Sequence, residues 1–273
     1  MNELLLSEID SDEKSLLEKL VLAEEFVFSS SATSLDNIDS FIEQCQSALE
    51  GIDDPLTQAE QLINELFVTQ LLIDNNRDFW PVVTYQFQTA LSNRTISPTL
   101  KAIILRHIIE ACGFDCDIVF VPEKIMVRLV CDDIYAIIFD PVTGESLNWQ
   151  EFDLRMDDTE DLDSFYSDNS TDIQPENMTH ISLIVKHLSG LKTALIREAA
   201  FSQALRCVDI LLSLSPNDPF ERRDRGFLLH QLDCFKVAVD DYRYFVQQCP
   251  EDPAAKLLKL QLDNITIAEP SLH

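Results

Sequence analysis

Apolar residues recur at three- and four-residue intervals through most of the first 75 positions, the periodicity of helices with one buried face. Leu16, Leu17, Leu20, Val21 and Leu22 mark a helix within 13–28, with acids between them, and a break rich in Ser, Thr and Asn follows at 29–37. Ile38, Phe41, Ile42, Cys45 and Leu49 predict a second helix that Gly51 closes. Asp54-Pro55-Leu56-Thr57 opens a third, with Leu62, Ile63, Leu66, Phe67 and Leu71 on one face. At Ser97-Pro98-Thr99 the chemistry of a helix start is explicit. The Ser97 hydroxyl is expected to cap exposed amides, and Pro98 suits the first helical position, where its missing N–H is not needed. That helix runs through Leu100, Ile103, Ile104, Ile108 and Ala111 and stops at Gly113.

Beyond Gly113 the rhythm shortens. Residues 118–121, 125–130 and 134–139 are β-rich runs separated by polar turns at Pro122-Glu123-Lys124 and Asp132-Asp133. Connections so short predict an antiparallel meander, closed by the turn residues Asp140-Pro141-Val142-Thr143-Gly144. Past residue 180 the chain repeats itself. Pro216-Asn217-Asp218-Pro219 and Pro250-Glu251-Asp252-Pro253 stand 34 residues apart, and at that offset Leu195 matches Leu229, Phe201 matches Phe235, Ala204 matches Ala238 and Leu211 matches Phe245. This is the tetratricopeptide period, in which each helix pair buries its apolar face only against a neighbour. The two units span about 185–218 and 219–252, with a helix from 253 to about 265 as cap. Gly226 falls where close helix packing needs a small residue, whereas Lys192 fills that place in the preceding unit.

Charge narrows the partners. Against 48 Asp and Glu stand 20 Lys and Arg, a net charge of −28. Such a chain repels phosphate backbones and anionic membrane surfaces, so neither nucleic acid nor membrane is an expected partner. No apolar run approaches the roughly 18 residues that cross a bilayer, and the first eight residues carry acids where an export signal needs positive charge. Seven irregularly spaced cysteines fit reduced thiols in the cytoplasm. Cys112 and Cys116, with His107 upstream, have no second ligand pair to complete a zinc site. Residues 157–176 hold eight acids and no basic residue but lack the glycine-centred loop of an EF-hand. No metal or cofactor is expected. The acidic run reads as a linker over 157–180, between a domain at 1–156 and a helical domain at 181–273.

The combination resembles a known family. Arg223-Asp224-Arg225-Gly226, Gln231-Leu232-Asp233-Cys234, Tyr244-Phe245-Val246 and Cys249-Pro250-Glu251-Asp252-Pro253 carry the resemblance, with a lesser contribution from Asn64-Glu65-Leu66-Phe67. With the helix and meander before them, these segments are similar to the SirB family of bacterial transglutaminase-like proteins with C-terminal tetratricopeptide repeats. The resemblance implies an α+β fold: a mostly helical N-terminal region and a transglutaminase-like core with a small antiparallel sheet, followed by an α-helical repeat array. It also implies the places of a Cys–His–Asp triad, with a nucleophile activated at a helix N-terminus. Here those places hold Thr99, Lys124 and Asp140, so only the acid survives. A threonine hydroxyl without a base is a poor nucleophile, and Cys112 stands at the wrong end of its helix for activation by the dipole.

The expected function is therefore non-catalytic: a cytoplasmic interaction or regulatory protein whose degenerate core is joined to a peptide-binding array. A hydrolase or acyltransferase with a rearranged thiol site is the alternative. Lys186, Arg197, Arg223, Phe227 and His230, with Ser189, Thr193, Phe220 and Gln231, are expected along the groove of the array. Three basic residues on one such face suit a protein or peptide partner with an acidic segment or terminal carboxylate. The competing expectation is that Arg223 pairs with Glu221 or other local acids.

Overall fold

Each apolar stripe of the N-terminal half becomes a helix in the computed structural model, which describes residues 2–11, 13–30, 34–121, 124–132, 135–147 and 176–268. These are α1 (Asn2–Asp10), α2 (Leu16–Phe28), α3 (Asp36–Leu49), α4 (Pro55–Asn64), α5 (Phe87–Asn93) and α6 (Pro98–Ala111). The meander follows as β1 (Asp115–Val121), β2 (Lys124–Val130) and β3 (Ala136–Phe139), and β4 (Glu176–Asn177) is added later. The repeats form α7 (His180–Arg197), α8 (Phe201–Leu214), α9 (Pro219–Gln231), α10 (Phe235–Gln248) and α11 (Pro253–Ala268). The turn residues 122, 123 and 133 and the acidic linker up to residue 175 lie outside the described residues. The chain divides into two compact units, one drawn from 14–21 and 32–187, the other from 1–13, 22–31 and 188–273.

In the first unit the sheet has the order β3-β2-β1-β4 with every pairing antiparallel. Val119 opposes Met126, and Val127 opposes Phe139. With Ile138, Val119 and Met126 form an apolar cluster that Leu147 joins. Helix α6 packs against β1 and β2, and Leu100, Ala102, Ile103, Ile104, Leu105, Ile108 and Ile109 are all buried. A helix apolar on nearly every side is one enclosed on nearly every side. The start of α6 departs from expectation. Pro98 does occupy the first turn, but Ser97 makes no side-chain cap, and its Oγ is buried without a hydrogen-bond partner. The fixed φ of proline and the packing of the helix do the work assigned to the hydroxyl. Leu71 also departs. A single π turn over Glu65–Thr69 ends the helix begun at α4, which leaves Leu71 exposed at φ 57°.

In the second unit, α1, which the apolar periodicity had not marked, packs on α8. Arg206 of α8 donates to the Val27 carbonyl at 2.9 Å and to Ser29 Oγ. The 34-residue period is visible in the backbone itself. After α7, Ala199 N–H bonds the Ile196 carbonyl and Ala200 N–H the Leu195 carbonyl; after α9, Asp233 bonds His230 and Cys234 bonds Leu229. Both turns are Schellman closures, and their left-handed residues, Ala199 (φ 56°) and Asp233 (φ 60°), are 34 positions apart. Helix α6 ends the same way on Gly113 (φ 91°), the residue whose missing Cβ makes the conformation cheap. Alanine is the least suited of the three. Ala199→Gly is expected to raise stability by about 0.5–1 kcal/mol in thermal denaturation, and Asp233→Gly by less.

Gly226 behaves as expected of its place: a Cβ there would stand 2.8 Å from the Tyr242 ring and 3.2 Å from the Ala238 carbonyl. The corresponding Lys192 is buried instead, and its Nζ donates at 2.7 Å to both Glu221 and Asp224 of α9. Burial alone pulls this lysine's pKa down, but the two carboxylates outweigh it and the net shift is upward.

Candidate functional site

The three places that the resemblance assigns to a triad all lie in the first unit. Thr99 is buried in the first turn of α6, Lys124 begins β2, and Asp140 follows β3. The antiparallel pairing of β2 with β3 sets Lys124 Nζ 3.6 Å from Asp140 Oδ2. Two of the three places expected from the resemblance are thus joined by an ion pair, and an ammonium has donors only. Asp140 is otherwise committed to its own turn. Its Oδ1 accepts from the Val142 and Thr143 amides at 2.7 and 3.4 Å, and Oδ2 accepts from Asn76 Nδ2 at 3.3 Å. Thr99 makes no hydrogen bond to either partner among the described residues. Cys112 stands thirteen residues along α6 from Thr99, about 20 Å at 1.5 Å per residue.

The group that holds this turn is one that pattern reading passed over. Lys101 has no exposed surface. Its Nζ donates to the Val142 carbonyl at 3.0 Å and also to the Leu72 carbonyl. Val142 accepts a second bond from Asp74 N–H at 2.9 Å. The Lys101 ammonium lies 5.6 Å from the centre of the Phe67 ring, which meets Phe139 edge-on at 5.7 Å. Gly144 completes the enclosure, since a Cβ there would come within 2.7 Å of the same ring. Burial pulls the Lys101 pKa down to about 8, and Asp74 and Asp140 resist the shift. The one legible signal was a lysine inside an unbroken apolar stretch, Leu100-Lys101-Ala102-Ile103-Ile104-Leu105.

The residues expected in the repeat groove are dispersed by what each touches. Lys186 belongs to the sheet-bearing unit, its ammonium 4.6 Å from the Phe120 ring centre. Arg197 closes α7. Arg223, on α9, is held by Asp224 through Nε at 3.0 Å and a terminal nitrogen at 2.8 Å. Its guanidinium also lies over Phe220 and Phe245, at 5.6 and 5.4 Å. Glu221, the other acid considered for it, is taken by Lys192. Phe227 packs edge-on against Phe201, and His230 against Phe235 and Tyr242. Phe220 and Phe227 stay 47% and 37% exposed, so aromatic surface flanks Arg223. His187 is fully buried against Tyr85, and burial lowers its pKa to about 3. Among the described residues no cluster of His, Cys, Asp and Glu could hold a metal ion, and no helix is long and apolar enough to cross a membrane.

Comparison with known proteins meets this geometry from outside. The transglutaminase-like superfamily matches residues 32–183, and the tetratricopeptide repeat matches residues 191–263. The UPF0162 protein YchA of Escherichia coli K12 is 34% identical over 185 residues, 67% of this chain and 66% of YchA. Protein SirB1 of Salmonella typhimurium is 27% identical over 98% of this chain and 99% of its own. The UPF0162 protein BU173 of Buchnera aphidicola is 29% identical with the same coverage. No solved structure matches.

Proposed function

The chain belongs to the transglutaminase-like superfamily, and from that premise we propose that it is a non-catalytic cytoplasmic protein whose repeats bind a protein partner in a regulatory role. The observation that carries the reading is the Lys124–Asp140 ion pair. It puts a lysine where the resemblance implies a histidine base, and it ties Asp140 to that lysine rather than to an imidazole. The tetratricopeptide repeats supply the interaction. Arg197, Arg223, Phe227 and His230 are the groove residues we assign to the partner, with Arg223 set among aromatic rings and able to exchange Asp224 for an incoming carboxylate. Lys186, which belongs to the sheet-bearing unit, stays outside this set.

The test is a pull-down from native lysate with wild type beside Arg197→Ala/Arg223→Ala, read by mass spectrometry. A protein retained by the wild type and lost from the double variant is the expected result. Equal retention by both would remove the groove from the proposal. Acyl transfer from a glutaminyl peptide to an amine, abolished by Thr99→Ala, would overturn the non-catalytic reading.

A further inference from the structure

Two thiols of the sheet-bearing unit take no part in the site above. Cys45 lies on the buried face of α3 with no exposed surface, and Cys112 directly follows α6 and is half-exposed. Helix α3 packs against α6, and Gln46 Nε2 donates to the Ala111 carbonyl at 2.9 Å. That bond sets the residue after Cys45 against the residue before Cys112, and the two thiols share a side-chain hydrogen bond. We propose that Cys112 is a peroxide-reactive thiol and Cys45 its resolving partner, the pair closing to an intramolecular disulfide.

The asymmetry of the pair assigns the roles. The adjacent Cys112, and then burial, push the Cys45 thiol up, whereas Cys45 lowers Cys112 against the burial that opposes it. Exposure points the same way: Cys112 is the thiol that solvent reaches, and Cys45 is enclosed behind it. Burial pushes Cys116, Cys207 and Cys131 up, which leaves them poorer competitors. In the first step the Cys112 thiolate attacks the terminal oxygen of a hydroperoxide. An S–O bond forms, the O–O bond breaks, and the leaving oxygen departs as alcohol after taking a proton. Cys112 becomes a sulfenic acid, oxidised by two electrons. The Cys45 sulfur then displaces the sulfenic oxygen, and that oxygen leaves with the Cys45 proton as water. The balance is two thiols and one hydroperoxide to one disulfide, one alcohol and one water. The bond would fasten α3 to the end of α6, and a thiol reductant would release it.

The experiment uses the full-length wild type, Cys45→Ser and Cys112→Ser, each checked by far-UV circular dichroism. Each is treated with hydrogen peroxide, blocked by alkylation in denaturant, and digested without reduction. Wild type should yield one linked peptide pair, about 2 Da lighter than the two thiol peptides together. Fragment ions should place the link on Cys112 rather than Cys116, and dithiothreitol should undo it. Cys45→Ser should accumulate a dimedone-reactive sulfenic acid at Cys112, and in Cys112→Ser the Cys45 thiol should survive. A folded wild type whose Cys112 stops at the sulfenic acid, links to another cysteine or stays reduced in excess peroxide would overturn the proposal. If either serine variant fails to fold, the wild-type linkage map decides alone.

Discussion

Lys101→Ala is expected to lower stability by about 3–5 kcal/mol, read as a fall in the midpoint of chemical denaturation. The alanine leaves a cavity where a fully buried side chain stood, and the carbonyls of Leu72 and Val142 lose a donor each. Lys101→Met keeps the stem and removes only the donors and the charge, so its loss should be smaller. The two effects separate by pH. An ordinary lysine titrates near 10.5 and Lys101 near 8 when folded. Between those values the unfolded chain holds more protons, so stability rises with pH by up to about 1.4 kcal/mol per unit. Below pH 8 the full cost of the buried ammonium is present. Buried thiols at Cys116 and Cys207, whose pKa values are raised, act in the opposite sense above about pH 9. The informative quantity is therefore wild type minus Lys101→Met, which should climb from pH 8 to 10. A flat difference would mean that the ammonium is not desolvated.

Asp241→Ala is expected to cost about 3 kcal/mol by thermal denaturation. The Asp241 side chain is 2% exposed and receives Arg225 through two nitrogens, at 2.7 and 2.6 Å, with Arg222 at 3.5 Å. The bidentate contact is the strong form of the interaction, and removing one partner leaves a guanidinium partly buried without its counter-charge. Arg225 remains 26% exposed, which holds the loss at the lower end of the range for buried pairs. Arg225→Met/Asp241→Leu should recover part of it. A double-mutant cycle with no coupling energy between positions 225 and 241 would contradict this account.

These two sites were also the ones that pattern reading did not find, for a shared physical reason. Periodicity within a short window located α2, α3, α4 and α6, the meander and the 34-residue repeat, because neighbours along the chain carry that information. Through the resemblance it singled out Thr99, Lys124 and Asp140, but not the ion pair between the last two. Lys101 is satisfied by carbonyls 29 and 41 residues away, and Asp241 by arginines 16 and 19 residues away. In a window, Asp241 reads as an ordinary solvated charge, and Lys101 shows only as a lysine set in an apolar stretch. Ser97 errs in the opposite direction, since the local rule for capping was met and tertiary burial overrode it. Arg223 was weighed against Glu221, but that acid is engaged by Lys192 from the preceding repeat.

The lysine at that place also makes the array a sentence with a fixed word order. Lys192 requires the acids at 221 and 224 in the unit that follows. One period earlier those two places are His187 and Gly190, and one period later they are Ala255 and Leu258, opposite the register of Gly226. A tandem duplication of the first unit would bury a lysine with no acid to meet it. Duplicating the second would leave Glu221 without the lysine it meets and Asp224 with Arg223 alone. Either event strands a charge in the interior, so the array resists the lengthening by which repeat proteins otherwise grow.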